Sequence, residues 1–260
     1  MKYAILLARQ RSGTGALGSV LDKHPQLKYL GEVFHPDNLG QKNNYFTHFL
    51  DKVKSDPKAA LPDNAYKVFQ SFLEDISALH PGKMLIVDIK YRSLHHLDGG
   101  WRGVVERPRS ITESISHDLP IIHLTRRNAL QSFVSGRLAE ANKVWHAHSN
   151  EQIRVNSAVL NIRQLSNYIV TSEREADLID RWTKRYKHLE SFDYDEMFDI
   201  EGHLDSQIAE RLAALFGVTS FTDREPTYVK QAPTDMAEAI ENYELVKRAL
   251  LGTDAIWMLD

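Results

Sequence analysis

The sequence predicts an α/β fold, a central parallel sheet flanked by helices. Three observations predict it. "YAILLA" (3–8) is a short, wholly apolar run, the character of a strand buried on both faces. "KMLIVDIKY" (83–91) and "LPIIHLTRR" (119–127) repeat that character. The segments between and after them change to a helical period. Strands alternating with helices imply a parallel sheet covered on both sides, whose ligands gather at the carboxyl ends of the strands.

The elements follow in order. Residues 3–8 form the first strand. Residues 14–24 read as a helix, with Pro25 just beyond its end. Residues 43–55 and 66–79 carry helical patterns, and the second and third strands follow at 83–91 and 119–127. From Asn128, a plausible N-cap, Leu130, Phe133, Val134, Arg137 and Leu138 draw one stripe along a helix. Two helices are expected over 151–170 and 173–189, the second carrying Leu178, Ile179, Trp182, Tyr186 and Leu189. "ESFDYDEMF" (190–198) reads as a short strand ending in an acidic turn, and 203–216 and 235–250 as helices. Residues 92–118, with "HHLDGGWRGVVERPRS", mix turn signals with scattered apolar residues and fit an insertion or an acceptor-side loop.

Bulk composition narrows the function classes. The 260 residues suit one large domain or two small ones and are taken as a single domain, 1–260. Hydrophobic residues at 42% and charged residues at 26% are those of a soluble globular chain. A net charge of −3 gives no global field for nucleic acid or membrane, so an anion site must be local. With no cysteine there are no disulfides, thiolate metal sites or cysteine nucleophiles. The apolar run at the start is too short for a secretory leader or a membrane span, and a cytoplasmic location is expected. Oligomeric state is not legible.

The junction "AILLARQRSGTGALGSVLDKHP" (4–25) is the first candidate site. A strand, a glycine-rich turn and a helix leave backbone N–H groups converging at the positive end of a helix dipole, where phosphate or sulfate fits. Gly13 and Gly15 allow close approach, Ser12 and Thr14 add hydroxyls, and Arg11 offers a fork of donors. A plain strand–helix connection would use the same glycines. The Walker lysine is missing. Gly13, Gly15 and Gly18 satisfy G-x-G-x-x-G, but no acidic residue ends a convincing second strand about 20 residues on.

"RSGTGALGSVLDKHP" resembles the 5′-phosphosulfate loop of sulfotransferases that use 3′-phosphoadenosine 5′-phosphosulfate (PAPS), closest to bacterial carbohydrate enzymes of the nodulation-factor kind. The resemblance implies a P-loop-like three-layer fold. It also implies that Arg11, Ser12, Gly13, Thr14 and Gly15 hold the phosphosulfate, Gly15 standing where the family has a hydroxyl residue. Ala16 departs from the tryptophan that cytosolic members stack on adenine. "IIHLTRRNALQSFVSGRLA" (121–139) is similar to the family's 3′-phosphate motif, which assigns that phosphate to Arg127 and Ser135. "FDYDEM" (192–197) would bring Tyr194 to the adenine. "TYVKQAPTDMAEAIENYELV" (227–246) resembles a C-terminal closing segment, with Lys230 as an added phosphate contact.

The implied reaction moves a sulfuryl group from PAPS to a hydroxyl of a glycan or other small-molecule acceptor, releasing 3′,5′-ADP without a metal. Arg11 would stabilise charge, and Lys90 at the end of "IVDIK" would face the sulfonate or snorkel at a strand end. Glu32, in "YLGEVFHP" (29–36), is the candidate base. His35 is its rival, with His95, His96, His123, His146 and His148 weaker; His123 also fits a hydrogen-bonded core histidine. Trp145 and His146 in "NKVWHAHSNE" could stack on a sugar or pack on the next helix. A small-molecule kinase with an unusual phosphate loop and a non-catalytic adenine-nucleotide sensor remain as alternatives.

Overall fold

The computed structural model describes residues 2–97, 118–145, 147–230, 232–233 and 235–259. His146 and most of the 92–118 segment therefore lie outside the described residues.

Five parallel strands make the sheet: β1 (Tyr3–Ala8), β2 (Leu27–Glu32), β3 (Met84–Lys90), β4 (Ile121–Thr125) and β5 (Leu189–Asp193), in the order β2-β3-β1-β4-β5. The most apolar strand is the central one. β1 is buried from Ala4 to Ala8 and pairs with β3 on one side and β4 on the other. Because side chains alternate across a strand, Ile5 and Leu7 join Val87, Ile89 and Ile121 on one face. There they meet α2 (Tyr45–Ser55), α3 (Ala65–Leu79) and the later part of α5 (Ile162–Thr183). Leu6, Ala8, Ile86 and Leu124 face the other way, onto α1 (Thr14–Lys23) and α6 (Ser206–Phe216). This is the expected α/β, P-loop-like three-layer fold. A third apolar cluster joins α4 (Ala129–Asn142), the start of α5 and α7 (Tyr243–Leu250).

The structure corrects the sequence reading at three places. First, residues 27–32 form a strand ending in an acid, Glu32, where none was expected. Only Leu27 and Leu30 of it are buried, so this edge strand lacks the apolar signature of its neighbours. A Rossmann unit is excluded for a different reason: β3 lies between β1 and β2, so the glycine loop does not lead to an adjacent strand. Second, the two helices expected over 151–189 are one, α5. Asn161 caps it by accepting from the Gln164 N–H. Thr171 and Ser172, at the supposed break, donate their hydroxyls to the carbonyls of Asn167 and Tyr168 within the helix. Third, the helix expected over 235–250 is interrupted. Ile240 is extended and forms a parallel bridge with Ala158, separating a turn at Met236–Ala239 from α7.

All five strands run the same way, so Ala8, Glu32, Lys90, Thr125 and Asp193 end on one side of the sheet. That side carries the candidate site.

Candidate active site

Between β1 and α1 the chain passes through two left-handed residues, Arg11 at φ 67° and Gly13 at φ 82°. At Gly13 glycine is required twice over. The angle disfavours a side chain, and a Cβ would lie 2.4 Å from the Tyr194 ring. Arg11 is held in its unusual conformation through its carbonyl, which accepts from Arg126 Nη1 at 3.0 Å and Ser132 Oγ at 3.3 Å. Gly13 is the N-cap of α1 and has no side chain with which to cap it. The first turn holds no acid, and Ser12 and Thr14 are buried beside it. An uncapped N-terminus without a carboxylate is an anion-binding arrangement.

Two guanidinium groups stand over it. Arg11 donates from Nε and Nη2 to Ser135 Oγ at 3.1 and 2.8 Å, and from Nη1 to the Trp145 carbonyl at 2.9 Å. Arg126 lies 4.3 Å from the Tyr194 ring centre and donates from Nη2 to Gln131 at 3.3 Å. Its Nε is buried with no hydrogen-bond partner among the described residues. Neither arginine has an ion pair among those residues. Burial, and then the positive charge of Arg126, lower the Arg11 pKa; burial lowers that of Arg126. Lys230 adds a third cation, its pKa lowered first by burial and then by Arg126.

This geometry changes the expected pairing of Arg127 with Ser135. The guanidinium on Ser135 belongs to Arg11. Arg127 is exposed, 3.2 Å from Glu196 and 3.6 Å from Asp193, and its backbone N–H also donates to Asp193. The cause lies at the end of β5. Asp193 and Glu196 form a capping box around Tyr194–Glu196 and present their carboxylates to Arg127. Tyr194, expected at an adenine, lies between the Gly13 backbone and the Arg126 guanidinium. Gly15 follows Thr14 in the first turn of α1.

A second polar group lies under α1. β2 carries an irregularity between Tyr29 and Glu32, with Gly31 at φ 71°, after which Glu32 stands opposite Asp88 of β3. Asp88 and Lys90 share the strand face toward α1, and both are buried. Lys90 Nζ lies 2.8 Å from each Asp88 carboxylate oxygen, donates to Thr14 Oγ1, and is 3.4 Å from Glu32 Oε1. Tyr29 donates to Asp88 at 2.7 Å, and burial followed by Asp88 raises the Tyr29 pKa well above its ordinary value. The Tyr29 ring fits because residue 18 is glycine; a Cβ there would lie 2.2 Å from it. The ammonium thus points inward, at the first residue of α1. Glu32 remains partly exposed, and its charge favours the Arg11 cation.

The histidines separate clearly. His35 is a partly exposed cap whose Nδ1 accepts from the Asp37 N–H. His123 is a core residue, 2.6 Å from the Tyr91 hydroxyl, with its pKa lowered to about 4 by burial. His96 packs on Phe34 and Phe46. His148 packs on Tyr228, next to the Val229 N–H that donates to the Ala147 carbonyl. That contact brings the Lys230 segment to the loop carrying Trp145, which is 55% exposed. Asp88, Tyr29 and Arg126 were not among the expected site residues. The signal for Asp88 was its spacing of two from Lys90 in an otherwise apolar strand.

Among the described residues no group of three His, Cys, Asp or Glu side chains could hold a metal ion, and no helix is long and apolar enough to cross a membrane. No family model matches the chain, and no curated protein matches it. Among solved structures it is similar to the sulfotransferase domain from the curacin biosynthetic pathway. The two are 15% identical over 84% of this chain and 75% of that chain, with a TM-score of 0.46.

Proposed function

We propose that this chain is a PAPS-dependent sulfotransferase acting on a hydroxyl, of a carbohydrate or glycolipid. One observation carries the anion-site reading: Arg11 and Arg126 stand without ion pairs, among the described residues, over the uncapped start of α1. Two buried cations, one of them further disfavoured by the other, are stabilised by a polyanion beside them. The resemblance of residues 11–25 to a phosphosulfate loop selects the polyanion.

In this reading the loop of Ser12, Gly13, Thr14 and Gly15 takes the phosphosulfate. Arg11 stabilises charge on that group, and Ser135, Arg126 and Lys230 lie toward the donor's other phosphate, with Arg127 at the rim. The acceptor hydroxyl attacks sulfur in line. A new S–O bond forms as the bond to the bridging oxygen breaks, and 3′,5′-ADP leaves with that oxygen's electron pair. Glu32 takes the hydroxyl proton. Catalysis rests on positioning and on charge stabilisation by fixed cations.

A kinase is the less favoured reading on a specific ground. In P-loop kinases a strand-end carboxylate and the loop hydroxyl hold magnesium. Here the corresponding oxygens, on Asp88 and Thr14, are already taken by the Lys90 ammonium.

The test is thermal stabilisation by 3′,5′-ADP against ATP with magnesium, since a ligand selective for the native state raises Tm. The proposal expects the larger shift from 3′,5′-ADP, then transfer of labelled sulfate from PAPS to a hydroxyl in a glycan panel. Glu32→Gln is expected to lower turnover about 10²–10⁴-fold while nucleotide binding persists. A larger shift with ATP would overturn the donor assignment. Binding of 3′,5′-ADP without transfer would favour the sensor.

A further inference from the structure

The polar group beneath α1 has a proton inventory. A lysine ammonium has three N–H donors and no acceptor. In this fold Thr14 takes one, and the two oxygens of Asp88 lie at 2.8 Å for the others. Glu32 is 3.4 Å from the same nitrogen, close enough for charge attraction, yet no donor for it is left over. Among the described residues no hydrogen bond reaches the Glu32 carboxylate. Asp88 in turn is fixed by Tyr29, which sits where only a glycine at position 18 leaves room.

We infer that Asp88 is a positioning residue which, with Thr14, commits all three Lys90 protons and so leaves the Glu32 carboxylate open to accept one. The inference rests on the reading of Glu32 as the base and assigns what keeps it competent. A carboxylate that receives a charged hydrogen bond is a weaker base, because the bond favours its ionised form. Were Lys90 to turn one N–H toward Glu32, the carboxylate would be stabilised and proton removal from the acceptor would slow. The same ammonium contacts the first residue of α1, so the base and the anion loop share one buried cation.

Two variants test this by different routes. Asp88→Asn removes a charge and an acceptor from Lys90. Thr14→Val removes an acceptor while leaving every charge in place. The Glu32 carboxyl is followed by 13C NMR during a pH titration, its resonance assigned by its loss in Glu32→Gln. In both variants Glu32 is expected to titrate at lower pH than in the wild type, by about one pH unit in Asp88→Asn and about half that in Thr14→Val. The acidic limb of the pH–rate profile should move in the same direction, with lower turnover on the plateau. Loss of the Asp88 charge alone also lowers the Glu32 midpoint, so the charge-neutral Thr14→Val decides: there a purely structural role would lower Tm and turnover without moving either midpoint. An unmoved Glu32 midpoint in folded Thr14→Val overturns the inference, whether or not Asp88→Asn folds. Full turnover in Glu32→Gln would instead overturn the base assignment, a result that the titration cannot mimic.

Discussion

The ends of β1 and β4 each carry two arginines, and each pair divides its labour. After β1, Arg9 is buried, bonded to Ser172, 3.5 Å from Glu175 and 4.0 Å from the Tyr168 ring centre. Arg11, two residues on, has among the described residues a hydroxyl and a carbonyl as its hydrogen-bond partners and no carboxylate in ion-pair contact. After β4 the order is reversed. Arg126 carries no ion pair among the described residues, whereas Arg127 meets two carboxylates. A guanidinium already matched by carboxylates fastens one element to another. One left with neutral partners near a helix N-terminus is available to an external anion. Residue type and spacing do not distinguish the two uses; the partners do.

The largest expected effect falls on the fastening arginine of the first pair. Arg9→Ala leaves Glu175 with Arg92 at 3.9 Å and should destabilise the fold by about 3 kcal/mol in urea unfolding. Nucleotide affinity measured on the folded fraction should change little. Next comes Arg126→Ala, with an expected loss of about 2 kcal/mol, roughly 30-fold, in 3′,5′-ADP affinity by calorimetry. If Arg127→Ala proves the more damaging to that affinity, the division between the pairs is the reverse of the one drawn.

A smaller effect comes from pH, through the His123–Tyr91 contact beside Arg9. The folded state holds His123 near pKa 4, below its unfolded value of about 6.5. Between those values the unfolded chain binds a proton that the folded chain does not. Stability therefore rises with pH across that window and is lost as pH falls through it. From pH 6.5 to 5.5 the loss should approach about 1 kcal/mol, and it should be absent in His123→Gln. Smallest is the stability effect of Arg127→Ala, under about 1 kcal/mol, because its ion pairs are exposed.

Much of the fold was legible because its strongest strands are buried on both faces and show it. β1, β3 and β4 lie within their predicted runs, and Asn128 caps α4 as expected, accepting from the Gln131 N–H. β2 was hidden, since an edge strand with two buried residues in six resembles a loop. The continuity of α5 was hidden by Thr171 and Ser172, which look like a break until their hydroxyls are seen bonding one turn back. At the site, the turn before α1 was readable from its glycines. The choice between Arg126 and Arg127 was not, because it depends on carboxylates at the end of β5 and in the turn after it, more than sixty residues away. Nor was the partner of Lys90, although Asp88 stood two positions before it.

The placement of the first strand at the centre of the sheet has a kinetic consequence. Tyr3 finds its lateral partner in Leu85 and Ile5 in Ile121, so β1 has no neighbour among the residues made just after it. No two-strand hairpin can seed such a sheet, and long loops must close before any ladder forms. Refolding from denaturant should be slow for a chain of this length, with "YAILLA" exposed and prone to self-association until β3 and β4 arrive on either side of it.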